Sequence, residues 1–231
     1  MAGEGELDDV TVIVPAFNEA ASIGAVVNGL RDHFAHVVVI DDASTDDTAA
    51  IADGAGATVL RHSVNLGQGG ALQTGFDHVR ARSGRTWVVT FDADGQHRVA
   101  DALEMLRVAR SEDVDVVLAS RFTGAARDIP RRRAWLLRGA VLFTRWTAGL
   151  AVTDAHNGLR VINTRVLDRL RITLPGMAHA SELLGLVARH RLSFREVPVT
   201  IVYSAYSRAK SQPDLNAINI VFELALARLR A

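Results

Sequence analysis

The sequence predicts an α/β domain built around a mainly parallel sheet. Three observations predict it. Short runs rich in Val and Ile recur through the first half, each followed by a stretch of helical periodicity. The runs are apolar throughout instead of alternating, as strands covered on both faces are. Polar clusters close the first, second, fourth and fifth runs, at the carboxyl edge where open α/β sheets bind ligands.

Val10-Thr11-Val12-Ile13-Val14 reads as the first strand, stopped by Pro15. A helix follows over about 19–33, with Asn18 or Ser22 as its cap. Val37 to Ile40 is the second strand and ends at Asp41-Asp42. Ser44-Thr45-Asp46-Asp47 offers N-cap chemistry to a helix reaching about Asp53, and Thr58-Val59-Leu60 is a short third strand. Asn65-Leu66-Gly67-Gln68-Gly69-Gly70 opens a helix to about Arg82. The fourth strand, Thr86 to Thr90, leads into Phe91-Asp92-Ala93-Asp94-Gly95-Gln96-His97. A helix over Val99 to Arg110 and a strand over Val114 to Ala119 complete this half, which closes on Ser120-Arg121. Beyond Pro130-Arg131-Arg132-Arg133, residues 134–152 form an apolar helix with Arg138 and Arg145 on nearly one face. With Trp135, Phe143 and Trp146 beside them, this is the pattern of an interfacial helix, or of a packed helix with a solvated Arg edge. A strand reaching Ile162, a helix from about Thr164, a helix over His179 to Arg191 and an edge strand over Phe194 to Val202, interrupted by Pro198, come next. Residues 214–230 form a last helix whose apolar face needs a cover.

The totals exclude several classes. The chain has 231 residues, the size of one large α/β domain. Its 26 basic and 26 acidic residues balance, so no global field favours nucleic acid. Without cysteine there are no disulfides and no thiolate metal sites, and His156 and His179 lack zinc-ligand spacing. Met1 to Asp9 is acidic and unlike a signal peptide, and no run of about 18 uncharged apolar residues marks a membrane span. The expectation is a cytoplasmic protein able to sit on a membrane surface.

The clusters carry the chemistry. Asp92 and Asp94 at a strand end can turn toward one point, and hard oxygen ligands suit Mg²⁺ or Mn²⁺ shared with substrate phosphates. The same four residues are also good turn chemistry. Phe17 and Glu19 can grip a nucleoside by stacking and hydrogen bonding, or Glu19 can merely favour a helix N-terminus. Of Asp41 and Asp42, one can hold a base or ribose while the other serves the helix start. The Asn65–Gly70 loop lets backbone approach a ligand. It is neither a Walker loop nor a dinucleotide fingerprint, because no Lys-Ser/Thr follows and the spacing and position differ.

Taken in this order, the clusters resemble the family 2 glycosyltransferases of the GT-A type. The matching residues are Val12 to Glu19, Val39 to Asp46, Asn65-Leu66-Gly67 and Asp92-Ala93-Asp94. Gly95-Gln96-His97, Ser120-Arg121-Phe122, Asp154 with Arg160, and Glu196-Val197-Pro198-Val199 leading to Lys210 are most similar to the polyprenyl- and dolichyl-phosphate sugar synthase branch. The resemblance implies a Rossmann-like nucleotide-diphospho-sugar transferase domain over residues 10–211, with a mainly parallel mixed sheet. Residues 10–121 would bind nucleotide-sugar and metal. Residues 122–211 would form the acceptor half, with basic interfacial helices over 131–152, and 212–231 a C-terminal amphipathic helix. It implies that Pro15, Phe17, Glu19, Asp41, Asp42, Asn65, Gly67 and Ala93 line the donor site. Asp92, Asp94 and Gln96 would surround Mg²⁺ or Mn²⁺ and the diphosphate. Arg121, Arg131, Arg138, Asp154, Arg160, Arg208 and Lys210 would face the acceptor and its phosphate. Asp92, Asp94 and Arg121 would be catalytic. Members of the branch carry an Arg six residues before the equivalent of Lys210; Ser204 stands there, with Arg208 near enough to compensate. Many also carry C-terminal membrane spans, so the expectation is a peripheral protein on the inner face of the cell membrane, with a small membrane partner docking on the last helix.

Acceptor chemistry points the same way. A sugar hydroxyl needs a general base. A phosphate monoester is already anionic near neutral pH and needs cations, which Arg131, Arg132, Arg133, Arg138 and Arg145 supply. The Gln-x-x-Arg-Trp signature of processive sugar polymerases is absent. The expected reaction is metal-dependent, inverting transfer from a UDP- or GDP-sugar to polyprenyl phosphate, since Asp41 and Glu19 would serve either base. The competing readings are transfer to a saccharide hydroxyl with Asp154 or Glu182 as base, a non-catalytic nucleotide-sugar binder, and a nucleotidyltransferase. The last lacks the Gly-rich loop with Arg and Lys expected after the first strand.

Overall fold

The computed structural model describes residues 7–82, 84–121, 150, 152–154 and 157–202. The strands are β1 (Val10–Ala16), β2 (His36–Asp41), β3 (Thr58–Arg61), β4 (Trp87–Thr90), β5 (Val116–Ser120), β6 (Arg160–Asn163) and β7 (Phe194–Pro198). The helices are α1 (Ile23–Arg31), α2 (Thr48–Gly54), α3 (Gly67–Arg80), α4 (Val99–Glu112) and α5 (His179–Arg189). The strands form one seven-stranded sheet in the order β3-β2-β1-β4-β6-β5-β7. All pairings are parallel except those of β6, which runs antiparallel to both β4 and β5. The expected mainly parallel mixed sheet is therefore present.

Period-two alternation sends successive side chains to opposite faces. Val12 and Val14 meet α1 and α4 in one core; Ile13 meets α3 and α5 in the other. Both faces are thus covered, which is why the strands read as continuous apolar runs. Gly75 lets α3 lie close on β1, since a Cβ there would stand 2.5 Å from Ile13 Cγ2.

The structure corrects several boundaries. β1 continues through Pro15, which pairs in register with Ile40 of β2. β4 reaches only Val10–Ile13 of β1, so Pro15 lies where the ladder is one-sided and its missing N–H is tolerated. α1 begins at Ile23, and the Ser22 hydroxyl turns back to Glu19 instead of capping the helix. Ahead of α2, Asp46 accepts the Thr48 amide at 3.0 Å while Asp47, at the cap position, makes no capping bond. The helix expected from Thr164 is a 3₁₀ helix over Thr164–Arg169. β7 stops at Pro198 and lies at the sheet edge, as its proline requires. The segments 131–152 and 212–231, expected to be interfacial and amphipathic helices, fall almost wholly outside the described residues.

Candidate active site

Two pairs of acids stand at the carboxyl edge of the sheet, one after β2 and one after β4. They are held differently. Asp92 is a partly exposed carboxylate: Oδ1 accepts from Gln68 Nε2 at 3.2 Å, and Oδ2 lies 2.9 Å from His97 Nε2. His97 is buried edge-on against Phe91, with ring centroids 5.6 Å apart. Behind Asp92 lies Gly158, where a Cβ would come within 2.2 Å of both carboxylate oxygens. Only glycine fits, and the Gly158 carbonyl accepts the Thr90 hydroxyl at 2.6 Å. Burial pushes the Asp92 carboxyl up, but the His97 hydrogen bond and the His97, Arg160 and His179 charges outweigh it and hold it below its ordinary value.

Asp94 moves the other way. Burial and the charge of Asp92 raise it, with Glu19 adding a little, against a 3.0 Å hydrogen bond from the Gln96 amide and the nearby His97. A cavity of about 380 Å³ between α1 and the start of α4, lined by Ala25, Val26, Phe91 and Val99, supplies part of that apolar setting. Two carboxylates that resist joint ionisation fit a hard divalent cation between them. Among the described residues no cluster of three or more His, Cys, Asp or Glu forms a metal cage. A pair of carboxylates is the kind of donor set that Mg²⁺ or Mn²⁺ completes with phosphate and water. Gln96 lies beside the acids, its carbonyl accepting the Val202 amide at 2.9 Å. Ala93 between them packs into the core.

The acids after β2 are turned inward. Asp42 accepts the Leu66 amide at 2.8 Å and the Gly67 amide at 2.7 Å, and His62 Nδ1 lies 2.7 Å away. Asn65 adds bonds to the Asp42 carbonyl and the Gly67 amide. Asp42 thus organises the Asn65–Gly67 loop and does not serve the helix start. A Cβ on Gly67, whose φ is +78°, would meet the Gly176 nitrogen at 2.8 Å, and one on Gly69 the Leu174 carbonyl oxygen at 2.1 Å. On their Cβ side these glycines admit another stretch of this chain. Asp41 is 0% exposed. Its Oδ1 accepts the Ser44 amide at 3.2 Å, and its Oδ2 lies 3.0 Å from Arg61 Nε. Pro15 is buried in β1, Phe17 stands 44% exposed, and Glu19 Oε2 accepts the Ser22 hydroxyl at 3.1 Å. The first loop is stitched to the second: the Asn18 amide donates to Ser44 Oγ at 2.9 Å, and Asn18 Oδ1 accepts the Thr45 amide at 2.9 Å.

The acceptor-side residues also find definite partners. Arg121 grips Asp154 at two points, Nε to Oδ2 at 2.7 Å and Nη2 to Oδ1 at 2.8 Å. Glu196 Oε1 accepts the Thr153 amide at 2.7 Å and its hydroxyl at 3.0 Å, and Ser120 and Thr153 join hydroxyls at 2.6 Å. Arg160 is a buried strand residue that opens β6, and the charges of Asp92 and Asp154 both act on it. Glu182 is not a free base. Both oxygens accept the Thr173 amide at 3.0 Å, and one also takes the Leu174 amide at 2.9 Å, pinning the loop that the Gly67 and Gly69 backbone touches. Arg131, Arg138, His156, Arg208 and Lys210 lie outside the described residues.

Sequence reasoning missed Gln68, His62, Arg61 and Gly158. All act on partners distant in the chain; only Gly158, just ahead of a strand, left a local trace.

With the geometry in hand, comparisons place the chain. A family model described as Glycosyl transferase family 2 matches residues 11–171. An uncharacterized protein of Methanocaldococcus jannaschii is 31% identical over 227 residues, covering 96% of this chain and 93% of that one. The polyprenol monophosphomannose synthase of Mycolicibacterium smegmatis is 30% identical, covering 82% and 76%. The UDP-N-acetylglucosamine–dolichyl-phosphate N-acetylglucosaminyltransferase of Methanococcus voltae is 27% identical, covering 95% and 96%. Among solved structures, glucosyl-3-phosphoglycerate synthase of Mycobacterium tuberculosis with Mn²⁺, UDP-glucose and phosphoglyceric acid shares the fold at a TM-score of 0.69 and 22% identity, covering 97% of this chain and 83% of that one. The chain belongs to glycosyl transferase family 2 and is a glycosyltransferase of the GT-A fold.

Proposed function

We propose that the chain transfers a sugar from a nucleotide-diphospho-sugar to polyprenyl phosphate, with inversion at the anomeric carbon. The observation that carries the reading is that, among the described residues, both candidate general bases are engaged by other parts of the chain. Asp154 is clasped by Arg121 and Glu182 by the Thr173–Leu174 backbone. A sugar hydroxyl would need one of them; a phosphate monoester brings its own anionic oxygen. The names of the relatives that act on polyprenyl or dolichyl phosphate support the same acceptor.

Asp92 and Asp94 would hold Mg²⁺ or Mn²⁺, which when bound neutralises charge on the departing nucleoside diphosphate. Gln68, His97 and the Gly158 backbone fix the Asp92 carboxylate so that no reorganisation is needed during transfer. Phe17 and Glu19 would receive the nucleoside. Arg121, oriented by Asp154, would offer a cation at the end of β5 to the acceptor phosphate. That oxygen attacks the anomeric carbon as the bond to the diphosphate breaks, through an oxocarbenium-like transition state. No helix among the described residues is long and apolar enough to cross a membrane. The reading places the chain peripherally on the membrane's inner face, where its lipid acceptor would lie.

The test is transfer of radiolabelled sugar from a panel of UDP- and GDP-sugars into an organic-extractable product, with polyprenyl phosphate and Mg²⁺ or Mn²⁺. The expected product is acid-labile and absent with Asp94→Ala. Transfer to a soluble saccharide, with none to polyprenyl phosphate, would overturn the acceptor.

A further inference from the structure

We infer that Arg160 is a buried counter-charge that weakens the hold of the acid pair after β4 on a bare divalent cation and favours one accompanied by a nucleoside diphosphate; this rests on the donor and metal reading above. The resemblance placed Arg160 toward the acceptor phosphate. In the structure the residue is 2% exposed, and its buried Nη1 has no hydrogen-bond partner among the described residues.

The sheet brings this charge to Asp92. β6 lies between β4 and β5, and Arg160 stands in register with Thr90 on one side and Leu118 on the other. Asp92 follows Thr90 closely, as Arg121 follows Leu118. Alternation fixes the face. Val88 and Ile162 belong to the core that includes α3, so Thr90 and Arg160 point to that same side. Gln68, in the first turn of α3, reaches Asp92 from there. Just ahead of Arg160, the Gly158 backbone lies so near that a Cβ would stand 2.2 Å from both Asp92 oxygens.

The charge is also undivided. The other acid acting on Arg160, Asp154, is already met by Arg121 at 2.7 and 2.8 Å. Burial pulls the guanidinium below its ordinary value, against the charges of Asp92 and Asp154, but an arginine stays protonated. His97 and His179 are the other groups whose charges act on Asp92.

Charge decides what such a site accepts. Two carboxylates attract a bare divalent ion, and the guanidinium opposes it where water screens little. A nucleoside diphosphate carries about three negative charges near neutral pH. The guanidinium attracts that anion as it joins the ion. Arg160 thus acts with opposite sign on the ion alone and on the nucleotide.

Calorimetric titration reads the two signs apart from transfer, with Mn²⁺ alone and then with GDP or UDP added to the Mn²⁺-saturated protein. Wild type is expected to hold Mn²⁺ at least about tenfold more tightly with a nucleotide present than without. Arg160→Met should bind bare Mn²⁺ about tenfold more tightly than wild type and the nucleotide about tenfold more weakly. Arg160→Gln, equally neutral but still a hydrogen-bond donor, should do the same, which separates lost charge from lost hydrogen bonding. A merely structural role would weaken both affinities together. Any pattern in the folded variants other than opposite shifts, or wild type that holds bare Mn²⁺ as tightly as with nucleotide, overturns the role of Arg160 and leaves the donor reading intact. Wild type that binds neither nucleotide in Mn²⁺ overturns the donor reading itself. Should Arg160→Met fail to fold, Arg160→Gln and the wild-type comparison decide.

Discussion

The acid pairs after β2 and after β4 are built from the same residue type, at the same edge of the same sheet, on strands that both flank β1. They are held differently. Asp41 and Asp42 are buried, and their oxygens face protein donors: Ser44, Arg61, His62, Leu66 and Gly67. Asp92 and Asp94 are partly exposed, and they sit close enough for the charge of one to raise the other. Asp42 is met on both oxygens by the chain, whereas Asp41 keeps one buried oxygen, Oδ2, without a hydrogen bond. Asp92 and Asp94 stand near enough to each other to suit a cation between them.

That contrast can be broken. Asp94→Ala should lower kcat about 10³-fold while its thermal unfolding stays near that of wild type; an equal loss of both would make the second pair structural as well. Gly158→Ala comes next. Its methyl group must displace Asp92, because both oxygens stand 2.2 Å from the Cβ position. A misplacement near 1 Å is expected to cost about 10²-fold in kcat/KM, and restoration by nothing short of glycine would identify the close approach as the cause. Asp42→Ala should act on stability instead. It strands the Leu66 amide, leaves the Gly67 amide only its bond to Asn65, and is expected to cost about 2 kcal/mol in denaturant unfolding, with activity per folded molecule reduced far less than by Asp94→Ala. Glu182→Gln should be the mildest, changing kcat by less than about threefold where loss of a general base would cost at least about 10²-fold. A large loss there with unchanged stability would return Glu182 to the role of base.

The first half of the fold was legible because its strands are buried on both faces and its helices follow at short range. Val37–Ile40 and Val116–Ala119 have no other stable place than the middle of a covered sheet. β6 was harder. It begins with a buried arginine and inserts antiparallel between two strands that precede it by many residues. No local pattern encodes that neighbourhood. The same holds within the site. The Asp-Ala-Asp spacing marked the carboxylates, but not that Gln68 and His97 would steady one of them. Nor did it show that the glycines of residues 67–69 would be consumed by contact with Leu174 and Gly176. Such roles belong to pairs of residues, and a single sequence displays only one member at a time.

The place of β6 also has a consequence for how the chain assembles during synthesis. β4 and β5 are made early, yet they never touch as neighbours; each waits for Arg160–Asn163 to emerge and slot between them. Until then a nascent sheet of β3, β2, β1 and β4 ends in the bare edge of Trp87–Thr90, a ready template for a wrong strand. A chain truncated before residue 160 would keep that edge unpaired.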